Sequence, residues 1–371
     1  MNKLAVITTY FNYSKSKLVR FAYDRFSENL RNQGVDLYTV ELAFKDDDYQ
    51  LPPSEKTFKL KSDSVLWHKE AMFNYALKQL PDDVTNVAWL DADIVIHNNN
   101  WAVEANKLLD RFSVIQIGNI YRFLTNNGDV DHVRETAVKV YTESPDLFQQ
   151  KNIHVGLAWA AKRETLDKIK FFDYDIAGGN DTIIFACSIT PPDSPFLNWL
   201  TEKVIAKNCP PLLKKIEEYH HRCWEEIQGR VSYLPVVVDH IYHSEYANRQ
   251  YVTRYECIKG FDPDIDLERQ ENGLFAWKNE NFEKKMERYF ITKDATSRLE
   301  FKKNREVALS RDESNLVTLH ITFDPKDYTP VSISHDRSKD VSYDPLLDRH
   351  IDDEVKASIR KLIRFRRGLD D

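Results

Sequence analysis

The chain has 371 residues, of which 42% are hydrophobic and 12% aromatic, enough to fill one large α/β domain or two smaller ones. Charged residues make up 30%, and the net charge of −7 disfavours non-specific binding to nucleic acid, although a local basic face would be sufficient for it. The four cysteines lack the short spacing of a zinc or redox motif, which indicates reduced thiols. No segment has the length of a signal peptide or a transmembrane helix, so we expect a cytoplasmic protein.

The N-terminal residues have the pattern of a βαβ unit. Leu4–Thr9 is an apolar, β-branched run typical of a buried strand. Apolar residues then recur at helical spacing from Leu18 to Leu30, and Gly34 is placed to end the helix. Val35–Leu42 reads as a second strand. This order predicts a parallel sheet with a right-handed crossover.

The loop after the first strand, Thr9–Lys17, contains no glycine. Ligands of open α/β sheets bind outside the carboxyl ends of the strands, and phosphate-binding loops there need glycine so that the backbone can approach the phosphates. The sequence therefore excludes a dinucleotide fingerprint, a P-loop and a pyrophosphorylase loop. It predicts that phosphates are held through a carboxylate-bound metal ion instead.

A helix predicted over Val65–Leu80 leads into Val87–Ile96, with the sequence VAWLDADIVI. Asp91 and Asp93 interrupt an apolar run typical of a strand covered on both faces. Buried carboxylates need a positive partner, and two of them at spacing two favour a divalent cation. We expect both side chains to lie on one face of the strand. The other Asp-x-Asp pairs of the chain lie in polar loops and are interpreted as solvated.

Further along the chain we predict a helix over Trp101–Phe112, strands at Ser113–Ile117 and from His154, a long helical segment Leu197–Gln228 broken by Pro210 and Pro211, and a strand within Val231–His243. Gly178 and Gly179 precede Asp181, which opens an apolar helix. The glycines would let a substrate approach the backbone, while an ordinary helix cap is the alternative for Asp181. Of His240 and His243, we expect at most one to share the face of the strand end with a ligand.

The composition shifts after about residue 296. Leu316–Phe323 alternates as a strand, and a basic tail closes the chain with Arg360, Lys361, Arg364, Arg366 and Arg367. We predict a main domain over residues 1–296 and an appended region over residues 297–371.

Five segments in this order resemble glycosyltransferases of the GT-A fold, in particular bacterial and phage proteins with an Asp-x-Asp motif. The resemblance covers about residues 3–290 and rests on Trp67–Glu70, Trp89–Asp93, His154–Ala160, Gly178–Thr182 and His240–Tyr251. Asn180 stands where such proteins have glycine, and Ser244 follows His243 where glycine is common. The resemblance implies an α/β fold with a central, mostly parallel sheet flanked by helices and a small C-terminal extension. It assigns the nucleotide-sugar half to about residues 1–120 and the acceptor half to about residues 121–296.

The resemblance also implies roles for individual residues. Asp93 would ligate Mn²⁺ or Mg²⁺, Asp91 would touch the ribose or the metal, and His243 would complete the metal shell. The implied nucleotide-sugar contacts are Thr8, Tyr10, Lys69, Glu70, Asp91 and Ala92, with Thr8 and Tyr10 against the base. The implied acceptor contacts are His154, Trp159, Gly179 and Asn180. Asp181 would meet the acceptor hydroxyl, as general base if the enzyme inverts and as an orienting group if it retains.

Together these features predict the metal-dependent transfer of a sugar from a nucleotide-sugar, a UDP-sugar in our prediction, to a hydroxyl. The acceptor is a glycan or a hydroxymethylated base of phage DNA; the basic tail favours DNA and the net charge opposes it. One alternative is a non-catalytic sugar- or nucleotide-binding protein of the same fold. Another, nucleotidyl transfer, is disfavoured by the missing glycine-rich loop. The sugar, the stereochemistry and the oligomeric state stay open.

Overall fold

The computed structural model describes residues 2–145, 153–194, 209–244 and 254–293, together with the backbone of two C-terminal strands. The chain divides into two compact units, Met1–Thr296 and Ser297–Asp371. Within the described residues, no helix is long and apolar enough to cross a membrane.

The first unit alternates strands and helices along the chain. Its described elements are β1 (Leu4–Phe11), α1 (Lys17–Asn32), β2 (Asp36–Phe44), β3 (Thr57–Ser62), α2 (Lys69–Gln79), β4 (Asn86–Leu90), β5 (Ile94–Ile96), α3 (Trp101–Leu109), β6 (Val114–Ile117), β7 (Ile120–Leu124), β8 (Val130–Thr136), α4 (Ala137–Glu143), β9 (Ile153–His154), β10 (Ala158–Lys162), α5 (Arg163–Ile169), α6 (Asn180–Ile189), α7 (Pro210–Ile227), β11 (Val231–Leu234), β12 (Val237–His240), a 3₁₀ helix (Arg254–Ile258), α8 (Pro263–Asp266), β13 (Leu267–Arg269), β14 (Phe275–Trp277) and α9 (Glu280–Lys293).

The central sheet has seven strands in the order β11-β6-β10-β4-β1-β2-β3. All of them run parallel except β10, which is antiparallel to both of its neighbours. Alternate residues of β1 enter two separate apolar clusters, Ala5 and Ile7 on one face and Leu4 and Val6 on the other. Helices α2, α6, α7 and α9 supply the first cluster, and α1 and α3 supply the second. Burial on both faces is what the uninterrupted apolar runs predicted. The predicted fold class, α/β with a central, mostly parallel sheet flanked by helices, is confirmed.

A second sheet has the order β5-β12-β7-β8-β9. The prediction of one strand over Val87–Ile96 is wrong, because β4 belongs to the central sheet, β5 to the second sheet, and Asp91–Asp93 form the turn between them. The strand predicted within Val231–His243 also divides, into β11 and β12. Pro235 lies between them, and proline cannot donate to a strand ladder.

Other predicted elements agree in type and differ at their ends. Helix α2 begins at Lys69 instead of Val65. Pro210 and Pro211 start α7 instead of breaking a helix, since the first turn of a helix needs no backbone donor from proline. Residues 195–208 lie outside the described part of the chain.

In the second unit, Leu319–Phe323 (β15) pairs antiparallel with Pro330–His335 (β16). The strand predicted at Leu316–Phe323 thus agrees over its described residues. The basic tail lies outside them.

Candidate active site

A cavity of about 340 Å³ lies in the first unit at the carboxyl ends of β1 and β4. This is the edge at which open α/β sheets bind ligands, and the volume is within the range of small-molecule sites. The titratable groups of its lining include four acids, three histidines and four basic residues. They are Glu70, Asp91, Asp93, Asp181, His154, His240, His243, Lys69, Arg134, Arg254 and Lys293.

The turn that joins the two sheets brings Asp91 and Asp93 to this cavity. Its backbone is held at both ends, since the Asp91 N–H donates to the Leu157 carbonyl at 2.8 Å and the Ile241 N–H donates to the Asp93 carbonyl at 2.7 Å. The residues therefore leave strand geometry, and the rule that alternate side chains share a face no longer applies. Their carboxylates take different partners.

Asp91 pairs with Lys69, the first residue of α2. The Lys69 Nζ lies 2.6 Å from Asp91 Oδ1 and 3.7 Å from Asp181 Oδ2, and its side chain is only 9% exposed. Burial by itself lowers the pKa of Lys69, but the charges of Asp181, Asp91 and Glu70 outweigh it and raise the pKa above its usual value. Lys69 is therefore a permanent cation between two cavity carboxylates.

The same surroundings favour the charged form of Lys69 but the neutral form of Asp91. Burial raises the pKa of the Asp91 carboxyl, Lys69 lowers it, and the like charges of Asp181 and Asp93 raise it again. The net direction of the pKa is upward, because burial is the largest effect and the two neighbouring carboxylates add to it.

Asp93 instead faces two histidines. Its Oδ2 lies 2.8 Å from His243 Nε2 and 3.6 Å from His240 Nε2. One potential ligand atom from each of the three residues lies within 4.8 Å of the others. One carboxylate oxygen and two imidazole nitrogens suit a transition ion such as Mn²⁺ better than Mg²⁺, which prefers oxygen ligands throughout. Among the described residues, these three form the candidate metal site.

The cluster differs from the sequence-based expectation at two residues. His240 joins His243 because β12 ends at His240 and the following residues leave the strand, so alternation does not separate the two side chains. Asp91 is not one of the three clustered residues, and its carboxylate lies 2.6 Å from Lys69 Nζ; its contact with the ribose or the metal stays a prediction.

Asp181 is the second residue of α6 and lines the cavity. Gly156 makes room for it: a Cβ atom at residue 156 would lie 2.9 Å from Asp181 Oδ2 and 3.3 Å from His154 Cε1. These two distances place the His154 ring and the Asp181 carboxylate next to the same glycine. The arrangement puts an acid and a histidine at one wall of the cavity.

The glycine pair before α6 has a packing role. Gly178 and Gly179 have φ angles of 82° and 135°, which favour glycine, and a Cβ at Gly179 would overlap the Tyr255 hydroxyl. That hydroxyl lies 2.7 Å from Asp175 Oδ2. Gly179 lines the cavity, but the tight turn around buried Tyr255 is sufficient to explain why both residues are glycine.

Three of the implied contact residues have side chains that lie in the core and not in the cavity lining. Thr8 is 0% exposed and donates its hydroxyl proton to the Leu90 carbonyl at 2.7 Å. Trp159 is 1% exposed, and its indole N–H donates to the Val155 carbonyl at 2.8 Å. Asn180 is also buried and donates to the Asp175 carbonyl at 3.2 Å. Each of these side chains supports the cavity wall from behind.

The remaining predicted residues do line the cavity. They are Tyr10, Lys69, Glu70, Asp91, Ala92, Asp93, His154, Gly179, Asp181 and His243. Tyr10 contributes its ring, while its hydroxyl donates to Gln50 at 2.7 Å and burial raises its pKa to about 12.

Sequence reasoning missed Arg134, Arg254 and Lys293. They come from β8, the 3₁₀ helix and α9, segments whose polar composition carries no local signal of a site. Trp67, which belongs to one of the motifs, lines the same part of the cavity, and the Lys293 Nζ lies 4.6 Å from its ring centroid. Folding brings these groups to the site from distant parts of the chain.

The sequence matches no protein-family model and no curated protein. Solved structures similar to the chain include nucleotide-sugar transferases of the GT-A type. Mannosyl-3-phosphoglycerate synthase from Rubrobacter xylanophilus is 10% identical, with 90% of this chain and 84% of that chain covered and a TM-score of 0.34. Glucosyl-3-phosphoglycerate synthase from Mycobacterium tuberculosis, in complex with Mn²⁺, UDP-glucose and phosphoglyceric acid, is 12% identical, with 72% and 82% covered and a TM-score of 0.31.

The catalytic domain of Drosophila β1,4-galactosyltransferase 7 is 14% identical, with 50% of this chain covered and a TM-score of 0.29. The match spans 60% of the length of that structure.

Proposed function

We propose that the protein is a metal-dependent glycosyltransferase of the GT-A type that moves a sugar from a nucleotide-sugar to a hydroxyl group. The observation that carries the proposal is that one cavity contains two acids with different neighbours. Asp93 lies with two histidines, and Asp181 lies beside Lys69. Transfer from a nucleoside diphosphate needs both a counter-charge for the leaving group and a carboxylate for the acceptor hydroxyl.

Asp93, His240 and His243 are the residues that would hold the metal ion. When bound, a divalent cation neutralises the negative charge that develops on the departing nucleoside diphosphate. This assignment agrees with the absence of glycine from Thr9–Lys17, which leaves the phosphates without a backbone cradle.

Asp181 is the proposed acceptor-side carboxylate. It accepts the hydrogen bond of the acceptor hydroxyl, and in an inverting reaction it takes that proton as the sugar is transferred. Lys69 lies 3.7 Å from its Oδ2 and limits the carboxylate's movement. His154, which lies close to Gly156 and lines the same cavity, is placed to contact the same substrate.

The finer assignments belong to the same proposal. Tyr10 and Ala92, which line the cavity, are supported as contacts of the nucleoside, which we propose to be uridine. The hydroxyl acceptor is a glycan or a hydroxymethylated base of phage DNA. The division of residues 1–296 into donor and acceptor halves and a cytoplasmic location stay predictions.

The experiment that tests the reaction is release of nucleoside diphosphate from UDP-, GDP- and nucleoside-monophosphate-activated sugars, with Mn²⁺ or with a chelator. We expect release from one donor, lost with chelator and in Asp93→Ala. Asp129→Ala is the matched control, since Asp129 is exposed, directly precedes β8 and belongs to another Asp-x-Asp pair of the chain. If wild type releases nothing and no nucleotide with Mn²⁺ shifts its melting temperature, the proposal is wrong.

The acceptor is tested separately by incubating the active donor with oligosaccharides and with duplex DNA that contains hydroxymethylated bases. A DNA acceptor predicts duplex binding that weakens steeply with salt, because basic side chains displace counterions from the phosphates. Failure to bind duplex at low salt would exclude DNA and leave the glycan.

A further inference from the structure

We propose that Glu70 is a specificity-determining residue whose carboxyl group binds a hydroxyl of the sugar being transferred. This inference rests on the proposed function. Glu70 is the second residue of α2, follows Lys69 directly and lines the cavity.

The Glu70 side chain has a polar atom that the protein leaves unused. The residue is only 5% exposed, and its Oε2 has no hydrogen-bond partner among the described residues. A buried carboxyl oxygen without a partner costs free energy unless a ligand or an ordered water supplies the hydrogen bond. A sugar hydroxyl is a ligand group of the required kind, since it both donates and accepts hydrogen bonds.

The charges around Glu70 favour its neutral form. Burial raises the pKa of the carboxyl well above its usual value, Lys69 lowers it, and the like charges of Asp181 and Asp175 raise it again. Lys69 already serves Asp91 at 2.6 Å and Asp181 at 3.7 Å. A neutral carboxyl group offers one O–H donor as well as an acceptor, which suits a sugar hydroxyl better than a third anion would.

The position of Glu70 selects the transferred sugar as its partner. In the proposed reaction the sugar lies between the leaving group, which is held next to Asp93, and the acceptor hydroxyl, which is held next to Asp181. Lys69 Nζ lies beside Asp91 and Asp181, and Glu70, the next residue of α2, lines the same cavity as Asp93 and Asp181. A hydroxyl of the donor sugar is therefore the substrate group within its reach.

A competing partner for Glu70 is a buried water molecule. A second cavity of about 10 Å³ lies behind Glu70 and Asp181, which is close to the volume that one water requires. Asn180, whose Oδ1 also has no partner among the described residues, lines this inner cavity. If water alone satisfies Glu70, the residue is structural and does not read the sugar.

Binding to the full-length protein in the presence of Mn²⁺ tests the inference. The probes are UDP, UDP-glucose, UDP-galactose and their monodeoxy analogues, titrated into wild type, Glu70→Ala, Glu70→Gln and the control Glu164→Ala at an exposed residue of α5. We expect wild type to bind the preferred sugar nucleotide at least ~10-fold more tightly than one of its deoxy analogues. In Glu70→Ala this ratio should fall below ~3-fold, with UDP affinity unchanged. Glu70→Gln, which keeps a donor and an acceptor, should retain the discrimination and shows that the site folds.

Three results would overturn the inference. Equal discrimination by wild type and Glu70→Ala against every deoxy analogue would leave water as the partner of Glu70. An equal loss of affinity for UDP and for UDP-sugar would show that Glu70 acts only through the structure around Lys69. If wild type binds neither UDP nor any UDP-sugar with Mn²⁺, the proposed UDP-sugar donor on which the inference rests is wrong, and the missing UDP response distinguishes that failure from the other two.

Discussion

Asp91 and Asp93 lie two residues apart in the same turn, yet they occupy differently built corners of the cavity. Asp91 has a cation supplied by the protein, since the Lys69 Nζ lies 2.6 Å away. Asp93 faces His240 and His243, which can offer neutral nitrogen donors to a cation from solution. At the Asp91 corner the protein itself neutralises the negative charge, whereas the Asp93 corner is suited to bind a metal ion.

This difference shows that two acids at spacing two need not contact the same partner. A paired motif predicts that both carboxylates serve one metal ion. The backbone between β4 and β5 turns them toward different partners, so a single side chain, Asp93, represents the motif in the metal site.

The largest expected effect separates these two corners directly. Asp93→Ala should abolish tight Mn²⁺ binding and lower transfer on the order of 10³-fold, because it removes the only carboxylate of the candidate metal site. Asp91→Asn should leave Mn²⁺ affinity within about threefold of wild type, since Asp91 is not a ligand in our assignment. Calorimetry with Mn²⁺ measures both. Equal losses of Mn²⁺ affinity in the two variants would show that the carboxylates act as one clamp.

The compensated corner should instead respond in stability. Lys69→Met leaves Asp91 and Asp181 in the cavity without their cation, which should cost about 3 kcal/mol of unfolding free energy. Each acid is 25% exposed, so water limits the loss. Urea denaturation measures it, with Lys69→Arg as the charge-preserving control. A change below about 0.5 kcal/mol, typical of an exposed pair, would contradict the buried ion pair.

The start of α2 should also give a pH signature. His68 is buried, which lowers its pKa to about 4, while a hydrogen-bond contact between its Nε2 and the Ser64 carbonyl partly counteracts this. Above the unfolded pKa of about 6.5 neither state binds the proton. As pH falls below that value, only the unfolded chain binds it, so about 2 kcal/mol of stability should be lost by pH 5.

Denaturation at several pH values checks this effect, with His68→Gln as the comparison. As the pH falls from 7 to 5, the free energy of unfolding of wild type should decrease relative to that of His68→Gln. A difference that stays constant between pH 7 and pH 5 would mean that water reaches the start of α2, and with it the residue that precedes Lys69.

The smallest effect concerns the space around Asp181. Gly156→Ala places a methyl group 2.9 Å from Asp181 Oδ2, so the carboxylate must shift. We expect transfer to fall about tenfold, because a displaced catalytic group loses its orientation. Mn²⁺ affinity should not change, since the atoms nearest to the added methyl group belong to Asp181 and His154 and not to the three ligands in our assignment. Loss of Mn²⁺ binding in this variant would show that the two corners are coupled.

The sequence alone was sufficient for the layered α/β architecture. The uninterrupted apolar run of β1, the helical spacing of α1 and the apolar run of β2 are local patterns, and each was placed within a few residues of its observed ends. The polar residues that interrupt apolar runs, Asp93 and Asp181 among them, pointed to the cavity, because acids are costly inside an apolar segment unless they have a use.

Only the tertiary structure decided which partners these acids take. The break between β4 and β5 and the inclusion of His240 in the metal site depend on strands that meet from distant parts of the chain. The burial of Trp159 and Thr8 could not be read from the sequence for the same reason, since a strand of a sheet covered on both faces has no exposed side that a local pattern could reveal. Composition and spacing select the kind of residue that a site needs, whereas the distances between charges arise only when the sheets are assembled.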